Sequence, residues 1–199
     1  LNHINVSTVL IIGGAGSIGS NYIKQILTLS PKKIVVVDTN ENGLTELTRD
    51  LRSSKNLDYN PLYITYPVNL LSDTFNKIYN SDKWDVVANF SAHKHVRSEK
   101  DKISVEALIK NNVFGAIKLL ELCDNNPPKY FFSVSTDKAA NPVNIMGASK
   151  KIMEMFLIRE SKDLDISMAR FANVAFSDGS LLHGFNQRFN SHQPISAPQ

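Results

Sequence analysis

An apolar, β-branched run, Thr8-Val9-Leu10-Ile11-Ile12, passes without a linker into Gly13-Gly14-Ala15-Gly16-Ser17-Ile18-Gly19. The junction reads as Gly-x-x-Gly-x-x-Gly from Gly13 or as Gly-x-Gly-x-x-Gly from Gly14, and both patterns belong to dinucleotide sites. Three physical needs meet in them: a tight turn, backbone without Cβ where a pyrophosphate approaches, and a helix N-terminus whose N–H groups and dipole attract the anion. Ile18, Tyr22, Ile23, Ile26 and Leu27 then recur at helical spacing before Pro31. A second β-branched run, Lys33–Asp38, ends on an acid nineteen residues beyond Gly19. A carboxylate at that place accepts hydrogen bonds from the adenosine ribose hydroxyls and repels a 2′-phosphate. Thr39-Asn40-Glu41-Asn42 holds neither Arg nor Lys, so NAD is favoured over NADP. Gly13, Gly16, Ser17, Ile18, Gly19, Asp38 and Asn40 are the cofactor-binding residues of this part of the chain.

The alternation continues. Further strands are expected at Leu62–Tyr66, Asp85–Phe90, Tyr130–Thr136 and Ile166–Phe171. Leu44, Leu47 and Leu51 mark a second helix, and Leu71 to Tyr79 a third. Ser104 to Asp124 carries Val105, Leu108, Ile109, Ala116, Leu119, Leu120 and Cys123 on one stripe until Asn125-Asn126-Pro127-Pro128 stops it. Ile145 to Lys162 presents Ile152, Met153, Phe156 and Leu157 to the sheet. Six such alternations predict an α/β fold: a doubly wound, mostly parallel sheet with helices on both faces. Ligands of such sheets bind beyond the carboxyl ends of the strands, so the turns after Ile12, Asp38, Phe90 and Thr136 should share one crevice. A length of 199 residues allows one α/β domain and excludes two large ones.

Composition removes other classes. With 42% hydrophobic and 21% charged residues the chain has material for a core, which excludes disorder. Lys plus Arg number 22 against 19 Asp plus Glu, and the basic residues are scattered, so nothing supports a nucleic-acid partner. The single cysteine, Cys123, forms neither an internal disulfide nor a Cys-based metal site, which favours a reducing, cytoplasmic setting. The apolar stretch Val9–Ile12 is far short of the ~20 residues of a membrane helix, so no membrane contact is expected from this segment.

Two stretches carry chemistry. At the mouth of the expected crevice lies Asn89-Phe90-Ser91-Ala92-His93-Lys94-His95-Val96. His93 and His95 lack a carboxylate or cysteine at ligand spacing, so no metal site is read there. Further on, the strand ending at Thr136 delivers a hydroxyl, a carboxyl and an amine in succession, Thr136-Asp137-Lys138. Met146 and Lys150 follow, one helical turn apart and thus on one face. Singly these residues read as a turn pair and a surface lysine; together, at the cofactor end of a sheet, they point to catalysis.

In these residues the chain resembles the extended short-chain dehydrogenase/reductase superfamily. Within it, it is similar to the CapD-like UDP-N-acetylglucosamine 4,6-dehydratases of capsule, lipopolysaccharide and other polysaccharide biosynthesis. The likeness rests on Gly13 to Gly19, Ala92 to Val96, Asn112-Val113-Phe114-Gly115, Ser135 to Lys150 and Arg170-Phe171-Ala172-Asn173-Val174. Ordinary superfamily members have Tyr where Met146 stands, and methionine there is typical of one larger branch. The resemblance implies an NAD-dependent lyase working by internal redox: NAD takes hydride from sugar C4, water is lost across C5 and C6, and the hydride returns to C6.

Residue by residue, the resemblance implies that Asp137 protonates the departing C6 hydroxyl and that Lys138, neutral beside Lys150 and Lys94 or through burial, removes the C5 proton. Lys150 holds the nicotinamide ribose, and Thr136 stands near the C4 hydroxyl. A thioether relays no proton, so Met146 leaves C4 deprotonation to Thr136 with a water or to Asp137. Asn69, Ser91, Ala92, Lys94 and Asn112 join the cofactor set; Lys94, His95 and Asn173 face a UDP-sugar. Pro67 stands where the family often has an adenine-contacting Asp, and Phe90-Ser91 replace a usual pair of alanines. Residues 1–172 are expected to form the NAD-binding domain with the catalytic groups, and 173–199 the truncated start of a nucleotide-sugar region. The chain is then cytoplasmic, or the cytoplasmic part of a membrane-anchored protein. Two alternatives stand beside this reading: a nucleotide-sugar 4-epimerase and a non-catalytic NAD-binding domain. A homo-oligomer paired through the helices at Ser104–Asp124 and Ile145–Lys162 is expected on equal terms with a monomer that buries them.

Overall fold

A computed structural model describes residues 4, 6–53, 62–93, 99–177 and 179–195. Its strands are β1 (Thr8–Ile12), β2 (Lys33–Asp38), β3 (Leu62–Pro67), β4 (Val86–Asn89), β5 (Tyr130–Thr136) and β6 (Ile166–Phe171). They form one sheet in the order β3-β2-β1-β4-β5-β6, parallel at each pairing. The chain winds outward from β1 to β3 and then crosses back to β4, so the switch point lies between β1 and β4.

The helices are α1 (Ser17–Leu27), α2 (Glu41–Ser53), α3 (Asp73–Asn80), α4 (Lys102–Ile109), α5 (Gly115–Asn125), α6 (Ile145–Glu160) and α7 (Leu181–Asn190). The period of two along a strand sorts the core into two layers. Leu10, Ile12, Val35, Val37 and Val87 pack with Phe75 of α3, Leu119 of α5 and Met153 of α6. Val9, Ile11, Ile34, Val36 and Val86 pack with Ile23 of α1 and Leu44 of α2. Burial on both faces is why the inner strands read as unbroken apolar runs. This is the doubly wound sheet expected from the sequence.

Three details differ from expectation. The segment read as one helix from Ser104 to Asp124 is α4, a π-helical turn at Lys110–Phe114, and α5. The wider turn buries Asn112 and Val113 side by side, which regular helical spacing does not reveal. Ile152 does not face the sheet: it is 41% exposed, and with Met155 and Ile158 it lies on the outer side of α6, while Met153 and Leu157 make the inner contact. Finally, α7 was not expected. The Ser180 hydroxyl caps its first turn through the His183 N–H, and Leu181, Phe185 and Phe189 share one face at helical spacing, but the stripe is short and none of the helix's residues is buried. Among the described residues no helix is long and apolar enough to cross a membrane.

Candidate active site

A cleft of about 750 Å³ runs along the carboxyl ends of the strands, within the usual size of small-molecule sites. Its floor comes from the turns after Ile12, Asp38, Phe90 and Thr136, as the topology rule requires, and also from Val68–Leu70 and Phe171–Ala175. Met146 and Lys150 of α6 form one wall, and Leu181 and Leu182 at the head of α7 close the far end.

At the β1 end the glycines differ in purpose. Gly13 has φ +78°, and a Cβ on it would lie 2.6 Å from the Ser91 backbone nitrogen. A Cβ on Gly14 would meet Val36 Cγ1 at 2.3 Å, and one on Gly19 the Gly13 carbonyl at 2.4 Å. These three close the turn, the helix and the neighbouring strand upon one another. Gly16 is different: a Cβ there finds only the Gly13 carbonyl oxygen, at an ordinary 3.6 Å. Gly16 is exposed to the cleft, is the N-cap of α1 and offers no side-chain cap, and the first turn of the helix carries no acid. The chain itself does not need a glycine there, whereas a pyrophosphate approaching the head of α1 does. Gly13→Ala should therefore cost about 2 kcal/mol or more of stability, seen as a lower melting temperature. Gly16→Ala should leave melting within about 0.5 kcal/mol of the parent and weaken dinucleotide binding, measured by calorimetry.

Asp38 has a second duty that sequence reasoning missed. Its Oδ2 accepts the Ala15 N–H at 2.9 Å and its Oδ1 the Asn40 N–H at 2.9 Å, so it pins the glycine turn to the end of β2. Each oxygen still has a lone pair for a ribose hydroxyl. Asn40 is the N-cap of α2, its Oδ1 accepting the Gly43 N–H at 2.9 Å. Asn69 folds onto the Leu71 N–H at 2.8 Å, and with Val68 and Leu70 it lines the cleft beside Pro67. Phe90 packs against Tyr22 and Phe132, with ring centroids 5.0 and 5.7 Å away. Ser91, Ala92 and His93 line the cleft, and Ser91 Oγ donates to Asn89. Lys94 and His95 lie outside the described residues.

Asn112 has a place other than the one expected. It is buried; its amide donates to the His93 carbonyl (3.1 Å) and Ser149 Oγ (3.0 Å), and its Oδ1 accepts from the His93 N–H (2.9 Å) and Asn111 (3.3 Å). Both hydrogens and both lone pairs are engaged, and the cleft wall is built from Asn111 instead. Asn112 thus ties the loop after β4 to α6.

At the β5 end a 3₁₀ turn (Asp137–Ala139) sets Thr136, Asp137 and Lys138 together. Asp137 Oδ1 accepts the Thr136 hydroxyl at 2.9 Å, the Lys138 N–H at 2.9 Å and the Lys138 ammonium at 3.2 Å. Lys138 Nζ also reaches Asn173 Oδ1 at 3.5 Å. The Thr136 hydroxyl, and after it Lys138, hold the Asp137 carboxyl below the usual aspartate range. Lys150 is buried, and its Nζ donates to the Val134 carbonyl at 3.1 Å and the Met153 sulfur at 3.5 Å. Burial pulls its amine down to about 8, against the opposing pull of the Glu154 charge. At the head of α6, Met146 is buried and its N–H is held by Glu99 at 2.7 Å, an acid that sequence reasoning did not single out.

A model of a polysaccharide biosynthesis protein family matches residues 9–198. The chain belongs to this family. An uncharacterized membrane protein of Methanocaldococcus jannaschii is 32% identical over 98% of the chain and 57% of its own length. An inverting UDP-N-acetylglucosamine 4,6-dehydratase of Campylobacter jejuni is 29% identical over 92% of the chain and 54% of its own length. A UDP-glucose 4-epimerase of Rickettsia prowazekii is 29% identical over 88% and 51%. The chain thus spans between half and three-fifths of these three relatives. Among solved structures, Pen from Bacillus thuringiensis superposes with a TM-score of 0.85 at 22% identity, over 99% of the chain and 61% of that protein. WbmF of Bordetella bronchiseptica, solved with NAD+ and UDP, superposes at 0.76 with 18% identity, over 100% and 64%. These two superpositions show the fold that the chain shares with both proteins.

Proposed function

We propose that the chain is the NAD-binding and catalytic part of a nucleotide-sugar 4,6-dehydratase acting on UDP-N-acetylglucosamine or a close relative, in polysaccharide biosynthesis. One observation carries the reading: a single cleft joins a glycine turn suited to a pyrophosphate to a turn whose Thr136 and Lys138 line the cleft and bond the neighbouring Asp137 carboxylate. The names of the Campylobacter relative and the NAD+ and UDP complex of WbmF agree with it. In this reading residues 1–172 bind NAD and carry the catalytic groups, and 173–199 begin the region that holds the UDP-sugar.

NAD bound along the glycine turn supplies reversible hydride acceptance; the chain supplies everything else. Gly13 to Gly19 admit its pyrophosphate, Asp38 its ribose, and Lys150 presents an ammonium to the nicotinamide end. The Thr136 hydroxyl donates to Asp137 and accepts the Lys138 N–H at 3.4 Å, which leaves one lone pair to accept the C4 hydroxyl proton as its own proton passes on to the carboxylate. This gives a route that bypasses the thioether of Met146. Elimination needs an acid and a base: Asp137, protonated from the C4 hydroxyl through Thr136, is the acid, and Lys138, whose partner at 3.2 Å then carries no charge, releases its ammonium proton to solvent and becomes the base. A sugar seated over this half-exposed turn disfavours the ammonium charge and so promotes that release. The neutral Lys138 amine then takes the C5 proton, and the Asp137 carboxyl gives its proton to the departing C6 hydroxyl.

Incubation of the protein with NAD and UDP-N-acetylglucosamine in deuterium oxide should yield a 4-keto-6-deoxy sugar carrying deuterium at C5. A product inverted at C4 with no loss of water would instead favour the 4-epimerase, the reading suggested by the name of the Rickettsia relative. Asp38→Asn keeps one acceptor for the turn, and it should narrow the preference for NAD over NADP by about tenfold in calorimetry.

A further inference from the structure

Glu154 is an acid on α6 that the proposed chemistry does not use, yet it is among the most buried charged residues described, at 3% exposure. Its Oε1 accepts the Ser135 hydroxyl at 2.6 Å and Arg170 Nε at 2.8 Å, and its Oε2 accepts Arg170 Nη2 at 2.7 Å. Ser135 immediately precedes Thr136-Asp137-Lys138 at the end of β5. Arg170 immediately precedes Phe171-Ala172-Asn173 at the end of β6, and Asn173 touches Lys138. One turn earlier on α6 stands Lys150, donating to the carbonyl of Val134, which is next to Ser135. A single carboxylate therefore meets the three elements whose ends carry the candidate catalytic groups.

We propose that Glu154 is a positioning residue: its carboxylate locks the ends of β5 and β6 to α6 and supplies the negative charge that keeps Lys150 an ammonium in the cleft wall. The part concerning the cofactor rests on the function proposed above. Fork-to-carboxylate pairing with Arg170 fixes the orientation of Glu154, and Ser135 fixes its depth. The other charged groups on elements packed against α6 are differently engaged. Asp137 and Lys138 pair with each other, Lys110 of the π-helical turn pairs with Glu106, and Glu99 holds the Met146 N–H. Lys118 and Glu121 belong to α5, and Lys151 adjoins Lys150 on α6 itself. Burial acts on Lys150 in the opposite sense to Glu154, so the balance between them sets its charge.

The test is the titration of Lys150, followed by NMR in protein labelled with ¹³C at lysine Cε, the signal being assigned by its loss in Lys150→Met. In Glu154→Gln the midpoint should fall by on the order of one pH unit. NAD affinity should drop several-fold at about pH 8 and return towards the parent value near pH 6. A folded Glu154→Gln protein with an unmoved Lys150 midpoint would overturn the proposal. Because Glu154→Gln strands the Arg170 guanidinium, the double variant Glu154→Gln/Arg170→Gln replaces the ion pair with two amides. Its midpoint should also fall, and no movement there would equally overturn the role. Failure of the parent protein to bind NAD would count against the proposed function, while the midpoint still decides the role of Glu154.

Discussion

Lys138→Met is expected to slow loss of water from UDP-N-acetylglucosamine by about 10²–10⁴-fold, the usual worth of a positioned base. NAD affinity should stay within about twofold, because the glycine turn and Asp38 are untouched. Methionine keeps the length of the lysine and removes the amine that faces Asp137 at 3.2 Å and Asn173 at 3.5 Å. The variant also takes away one of the groups that hold the Asp137 carboxyl below its ordinary range. The acid limb of any remaining activity should therefore move to higher pH. Rate, deuterium at C5 and absorbance of the reduced cofactor separate the steps: oxidation at C4 should survive while C5 exchange is lost. C5 exchange at the parent rate would remove Lys138 from the mechanism.

The second large effect runs in opposite directions for stability and binding. Lys150 titrates in the folded chain at about 8, below its ordinary 10.5. Between those values the unfolded chain binds a proton that the folded chain lacks, so stability rises as pH climbs from about 8 to about 10.5. Below that window the buried ammonium costs on the order of 3 kcal/mol. Lys150→Met removes the cost and forfeits bonds to the Val134 carbonyl and the Met153 sulfur. A net gain of about 1–3 kcal/mol at pH 7 is expected, a rise of roughly 2–8 °C in melting temperature. The advantage should shrink by pH 10, and NAD affinity should fall tenfold or more. An unchanged or lower melting temperature at pH 7 would show that the lysine carries no such strain. A destabilising group held in a cleft wall is what a functional residue looks like in thermodynamic terms.

The sheet was legible because its inner strands are apolar on both faces, and runs such as Val35-Val36-Val37 admit few other readings. The crevice followed from strand order alone. What escaped was whatever depends on partners distant in sequence. Glu154 looks like any surface acid on a helix until Ser135 and Arg170 close on it from two strands. Asn112 was assigned to the cofactor from its motif, whereas the geometry spends all four of its bonding capacities on the chain. The π-helical turn that places it leaves no trace in apolar spacing. α7 escaped because its apolar stripe, Leu181, Phe185 and Phe189, is only three residues long and packs into no core, with Leu181, Leu182 and Phe189 exposed.

The tie between Asn112 and His93 has a practical consequence. An amide in a loop ordinarily trades its hydrogen with water within moments, but the His93 N–H is clamped by a side chain anchored in a helix. Its exchange with deuterated solvent should follow the opening of the contact between Asn112 and Ser149 rather than the fraying of the loop. One backbone hydrogen thereby becomes an intrinsic gauge of how firmly the rim of the cleft is fastened to the wall that carries Lys150.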